Sequence, residues 1–182
     1  MRLALILAAV VSGSVPALAQ SQAVELPMRR PGYWEIRMMT GGGPGGQEFT
    51  VQTCTDAATE RQMVQYGFGQ LGQTCQRYDI RRDGEDYVIE TDCLAGQTRT
   101  TARSVISGDL RATYSLRVEG TVQTIGQSEF QQTLTTHEGR FVSARCGGGL
   151  RPGDILLPGG QRLNIRDLAG TGDQAQTPPR RR

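Results

Sequence analysis

The chain has no lysine: every one of its 20 cations is arginine, set against 18 acids in 182 residues. Without a Lys-Ser/Thr pair and a helix behind it, the loop Gly41-Gly42-Gly43-Pro44-Gly45-Gly46 lacks the parts of a phosphate cradle. There is one histidine, His137. The four cysteines include no Cys-x-x-Cys pair, so a zinc site would be poorly furnished and disulfides are expected instead. No Gly-x-Ser-x-Gly elbow exists to place a nucleophile, and His137 sits beside an expected turn at Glu138-Gly139. Aromatic residues make up only 5% of the chain. Beyond the first nineteen residues no stretch is apolar enough to cross a bilayer as a helix.

Those nineteen residues are the exception. An early Arg2, an apolar run from Leu3 to Val11 and a small-x-small end at Ala17-Leu18-Ala19 read as a cleaved secretory signal. The mature chain from Gln20 is therefore expected in the periplasm or secreted, as a monomer with no transmembrane segment. Without Arg2 the balance is 19 cations to 18 acids, which gives no electrostatic reason to expect nucleic acid.

What the sequence has in quantity is short strand patterns. Cys75 to Cys93 is the clearest, two alternating runs around Asp83-Gly84, a dipeptide suited to a two-residue turn. That turn would set Ile80 opposite Tyr87 and Tyr78 opposite Ile89, leaving Arg77, Asp79, Arg81, Val88, Glu90 and Asp92 on the other face. Trp34, Ile36 and Met38 alternate with Tyr33, Glu35 and Arg37 in a first strand, and Phe49, Val51 and Thr53 continue the period up to Cys54. Thr55 or Asp56 caps one short helix through Met63. Strands are then expected over 98–106 and 110–118, and a last hairpin pairs Phe130–Thr136 with Arg140–Cys146. A mainly β fold follows: an antiparallel meander of about eight strands, as a barrel or a strongly curved sheet, with one short helix.

Four cysteines allow three pairings; Cys75-Cys93 with Cys54-Cys146 is favoured. In the Asp83-Gly84 register Cys75 and Cys93 fall on opposite faces, so bridging them needs a bulge or a Cys75 that precedes the ladder. The organisation reads as a signal at 1–19, a linker at 20–29, a disulfide-bearing β-domain at 30–146, an extension with a small ribbon at 147–169, and a disordered basic tail at 170–182.

The opening Pro31-Gly32-Tyr33-Trp34-Glu35, Cys54 before a short helix, Cys75 and Cys93 flanking a hairpin, and the closing Gly139-Arg140 and Arg145-Cys146 resemble the bacterial exported domain-of-unknown-function family 3617. The resemblance implies an exported, disulfide-bearing β-domain and carries no catalytic residues. From the residues themselves no catalytic, cofactor or metal site is expected. Asp79, Glu90 and Asp92 read as a solvated strand face, and Met28, Met38, Met39 and Met63 as packing. Two functions remain. One is a non-enzymatic binding module for a small apolar or amphipathic molecule or an envelope component, lined by Trp34, Ile36, Tyr78, Ile80, Tyr87, Ile89, Tyr114 and Leu116. The other is a structural or interaction domain of the envelope with a fully packed core.

Overall fold

The computed structural model describes residues 24–41, 45–69, 71 and 75–168; the expected signal and the basic tail lie outside them. Among the described residues nine strands form one antiparallel sheet, in the order β3-β4-β5-β6-β7-β1-β2-β8-β9. The sheet has two ends and is not closed into a barrel.

The chain begins in the middle of this sheet. β1 (Gly32–Thr40) and β2 (Gln47–Thr55) form a hairpin, with Trp34 opposite Thr53 and Ile36 opposite Val51. Helix α1 (Ala57–Val64) then starts at Asp56, whose side chain accepts the Thr59 N–H while the Thr59 hydroxyl accepts the Asp56 N–H. This reciprocal cap satisfies two of the amide donors that a helix start leaves open. A π-helical turn over Gln65–Gly69 follows. The chain next enters the far end strand, β3 (Cys75–Asp83), and meanders back through β4 (Asp86–Ala95), β5 (Thr98–Ser107), β6 (Thr113–Thr124) and β7 (Phe130–Ser143) until β7 pairs with β1. The small ribbon of β8 (Asp154–Leu156) and β9 (Arg162–Asn164) extends the other side of the sheet from β2.

Three local expectations need correction. The β3-β4 turn residues are Gly84 and Glu85, closing on Asp83 opposite Asp86. Ile80 therefore faces Ile89 and Tyr78 faces Thr91, a shift that keeps every side chain on its expected face because the displacement is an even number of residues. Gly84 has φ +63° and takes the first turn position, where a Gly-x pair favours a II′ geometry over the I′ turn of Asp-Gly. Second, Glu138-Gly139 is no turn. β7 runs straight through it, and a Cβ at Gly139 would lie 1.9 Å from the Tyr114 ring, so the residue is glycine to admit that ring. Third, Leu110 and Ala112 precede β6: Leu110 turns into the core with φ +55°, held where the Asp109 carboxylate accepts the N–H groups of Arg111, Ala112 and Thr113.

Two disulfides are formed. Cys54 joins Cys146 with Cα atoms 5.5 Å apart, and Cys75 joins Cys93 at 3.9 Å. The ladder slips between Cys75 and Arg77, and that bulge turns Cys75 to face Cys93.

Candidate functional site

The sheet separates two kinds of surface. On the covered face, Ile89, Ile106 and Leu110 form a buried cluster against which Leu26, Phe68, Tyr78, Ile80, Tyr87, Tyr114 and Leu116 pack. Trp34 is fully buried, its ring 5.7 Å from that of Tyr114 and 5.4 Å from that of Phe141 in an edge-on contact. All eight residues expected to line a ligand cavity thus lie on this one face: Trp34, Ile36 and Ile89 are buried, and Tyr78, Ile80, Tyr87, Tyr114 and Leu116 are half-buried beside the core. Of the eight, Tyr114 alone borders an open groove described below.

The centre of the covered face was not legible in the sequence. Residues 24–29 were expected as part of a linker, yet Leu26 packs against the core and the Arg29 side chain lies over it, 11% exposed. Its guanidinium stands 5.6 Å from both the Trp34 and the Tyr114 ring centres, and it grips Glu60 of α1 with two bonds, Nε to Oε1 and Nη2 to Oε2, each 2.8 Å. Burial opposes the charge on Arg29, and the Glu60 carboxylate outweighs it, so the guanidinium is held more firmly protonated than usual. Burial likewise pushes the Tyr114 phenol up, against the pull of Arg29. His137 belongs to the same region. It lies within β7, opposite Met38 and Leu116, half-buried, and burial first and Arg29 second hold its pKa below the ordinary 6.5. A neutral imidazole in mid-strand replaces the exposed turn residue expected there.

The opposite face is polar and open except at Val88, which shares it with Glu90 and Asp92 but is 1% exposed. Two rows of side chains cross it from strand to strand. One runs Arg77, Asp92, Thr101, Thr121, Gln132; the next runs Asp79, Glu90, Arg103, Glu119, Leu134. Most of these residues border an open groove of about 780 Å³ that includes the backbone around Ala102 and Gly120. Arg77 donates to Asp79 and to Glu90, both at 2.6 Å, and Glu90 accepts from Arg81 as well at 2.9 Å. Asp92 takes both forks of Arg99, which holds its carboxyl below the usual range. Thr101 and Thr121 share a hydrogen bond of 2.7 Å. A planar guanidinium can bridge two carboxylates where an ammonium offers a point charge, which suits an all-arginine surface of this kind. A second groove on the same side, about 560 Å³, lies among Glu35, Arg37, Thr50, Ser115, Glu138 and Arg140, beside Tyr114.

Among the described residues, no group of three or more His, Cys, Asp or Glu is placed to hold a metal ion. On the polar face Asp79, Glu90 and Asp92 form ion pairs with arginine. Met38 points to the covered face and Met39 to the other, so adjacent methionines do not converge. No helix among the described residues is long and apolar enough to cross a membrane.

Comparison with curated proteins and with solved structures returns no match. A family model does match, over residues 29–146, and its description is Protein of unknown function (DUF3617). The matched span begins at the buried Arg29, takes in the Trp34 centre and both disulfides, and ends on Cys146, leaving β8 and β9 outside it. With close to two thirds of the sequence matched by this one model, the chain belongs to the DUF3617 family.

Proposed function

We propose that the protein is an exported, non-enzymatic binding module that takes a polar, peptide-like ligand on the open face of its sheet. The observation that carries this reading is the groove of about 780 Å³ crossed by the two rows through Thr101, Arg103, Glu119 and Thr121. It offers hydroxyls, guanidinium and carboxylate together, a mixture that matches a ligand with donors and acceptors of both signs better than an apolar one. The packing of Trp34, Tyr114 and Phe141 supports moving the ligand from the covered face to this one. Two disulfides and the signal-like start are compatible with export.

Arg103 tests the proposal because it forms no ion pair among the described residues and projects, exposed, into the groove. Short peptides titrated into the labelled protein should shift the amide signals of residues 101–103 and 119–121. Arg103→Glu should weaken that binding about tenfold or more while leaving the melting temperature within a degree or two. If the protein taken from its own envelope instead carries an apolar molecule, and Tyr114→Glu releases it without unfolding, the groove reading fails and the covered face is the site.

A further inference from the structure

β3 is an end strand: among the described residues it pairs with β4 alone. Below the bulge at Cys75, residues 77–83 are a regular edge. The turn determines where their backbone groups point. A two-residue turn closes on a hydrogen-bonded pair, here Asp83 with Asp86, and such pairs alternate along an antiparallel ladder. Arg77, Asp79, Arg81 and Asp83 therefore direct their N–H and C=O groups to β4. Tyr78, Ile80 and Arg82 direct theirs outward, where an added strand can take them.

The side chains say which strand. On the polar face the edge reads Arg77, Asp79, Arg81, Asp83, and these side chains are largely exposed. A copy of the same strand, laid antiparallel about a two-fold axis at Ile80, sets Arg77 against Asp83 and Asp79 against Arg81, twice each. Ile80 then meets Ile80, and Arg82 meets Tyr78, on the covered side. Neighbouring registers fail. With the axis at Asp79, aspartate faces aspartate and Arg77 faces Arg81; with the axis at Arg81, arginine faces arginine and Asp79 faces Asp83. Like charges directly opposite each other in a sheet are destabilising, so the charge order disfavours these two, and axes at Tyr78 or Arg82 keep only one kind of opposite-charge pair against the two kinds made about Ile80. These charged pairs would also occupy the non-hydrogen-bonded positions, where facing Cα atoms come within about 4.5 Å.

We propose that a second copy of this chain docks on β3, edge to edge and antiparallel, with the two-fold axis at Ile80. Natural edges are usually blunted by unmatched charge or proline; here the charges match their own reversal. Within one chain Arg77 is held by Asp79 and Glu90, and Arg81 by Glu90, in pairs exposed enough to be worth little and to be shared with a partner. Asp83 has no ion pair among the described residues and gains one in the dimer. The contact is small, so the expected association is transient and weakened by salt. It replaces the expected monomer, and it extends the polar face across two copies.

Sedimentation equilibrium of the oxidised chain, from micromolar to near-millimolar concentration at low salt, tests this. A monomer-dimer equilibrium is expected. Asp79→Arg faces Arg81 of the other copy with a like charge and should weaken the dimer about tenfold or more; Arg81→Asp should do the same against Asp79. Combining the two restores opposite charges at both positions and should restore the dimer. The pair Arg77→Asp and Asp83→Arg repeats the test independently, should either first variant unfold by circular dichroism. A pure protein that stays monomeric, a dimer indifferent to the single changes, or a double variant that fails to recover would each overturn the proposal.

Discussion

Glu60 is 1% exposed and Arg29 is buried beside it, a pair whose worth depends on both partners staying. Removing one member of such a pair leaves a buried charge unmatched and costs about 3 to 5 kcal/mol. Arg29 thereby fastens the chain before β1 to α1 across the Trp34 and Tyr114 rings. None of this was legible in the sequence, because Arg29 precedes any periodic pattern and Glu60 lies on a short helix with polar residues on both sides. His137 was misplaced for a related reason: Glu138-Gly139 looks like a turn, and only the neighbouring strand reveals that the glycine accommodates Tyr114. Its half-buried site gives a pH prediction. A histidine whose folded pKa lies below its unfolded 6.5 binds protons more readily when unfolded. Its contribution is thus complete above about pH 6.5 and is lost as pH falls through the depressed value. Urea unfolding of the wild type should lose stability over that range, and His137→Gln should flatten the loss. The capping and turn carboxylates Asp56 and Asp109, held below their ordinary 3.8 by backbone and side-chain donors, contribute at more acid pH and should be unaffected by that change.

At the scale of elements, alternation was a sound guide and turn chemistry a partial one. The faces of β3 follow from polarity, since burying one side of a strand fixes every second residue, but in β4 Val88 on the polar face is buried as fully as Ile89 on the covered one. Which two residues make the turn is a closer contest between Asp83-Gly84 and Gly84-Glu85. Both use Gly84, at the first position in one and the second in the other, and the choice shifts the pairing without exchanging the faces. Gly84 has φ +63° and open space where a Cβ would stand, so replacing it tests backbone strain with no steric clash in the way. Gly84→Val is expected to destabilise by about 1 to 3 kcal/mol, through a β-branched residue forced to positive φ. Thermal melts of the two proteins measure it. An unchanged midpoint would mean that the hairpin tip relaxes to another turn at no cost. α1 is the opposite case. Its start is written in Asp56 and Thr59, and the structure adds that the same helix supplies Glu60 to the core.

The whole molecule is held by contacts that no local pattern predicts. Hairpins can be read along a chain, but the pairing of β7 with β1 joins residues about a hundred positions apart, and it makes the first strand a central one. The cysteines offered the one sequence clue to that closure. Cys54, near the end of β2, is tied to Cys146 just past β7, and its carbonyl accepts the Gly153 N–H at 2.7 Å on the way into β8. The two disulfides should therefore differ in both size and reach. Cys75-Cys93 closes a separation of 18 residues and Cys54-Cys146 one of 92. Constraint of the unfolded chain then stabilises by about 3 kcal/mol for the first and about 4.6 kcal/mol for the second. Replacing Cys75 and Cys93 by alanine should lower the urea midpoint and loosen the β3-β4 end while the β8-β9 ribbon keeps its protection against hydrogen exchange. Replacing Cys54 and Cys146 should lower the midpoint further and expose the amides of Gly153 and residues 154–156 first, because their anchor on β2 is gone. Equal losses from the two pairs would show that loop length does not set the difference. Retained protection at Gly153 in the Cys54-Cys146 variant would place the ribbon's stability in its own β2 pairing, at Gln52 with Leu156 and Thr53 with Ile155.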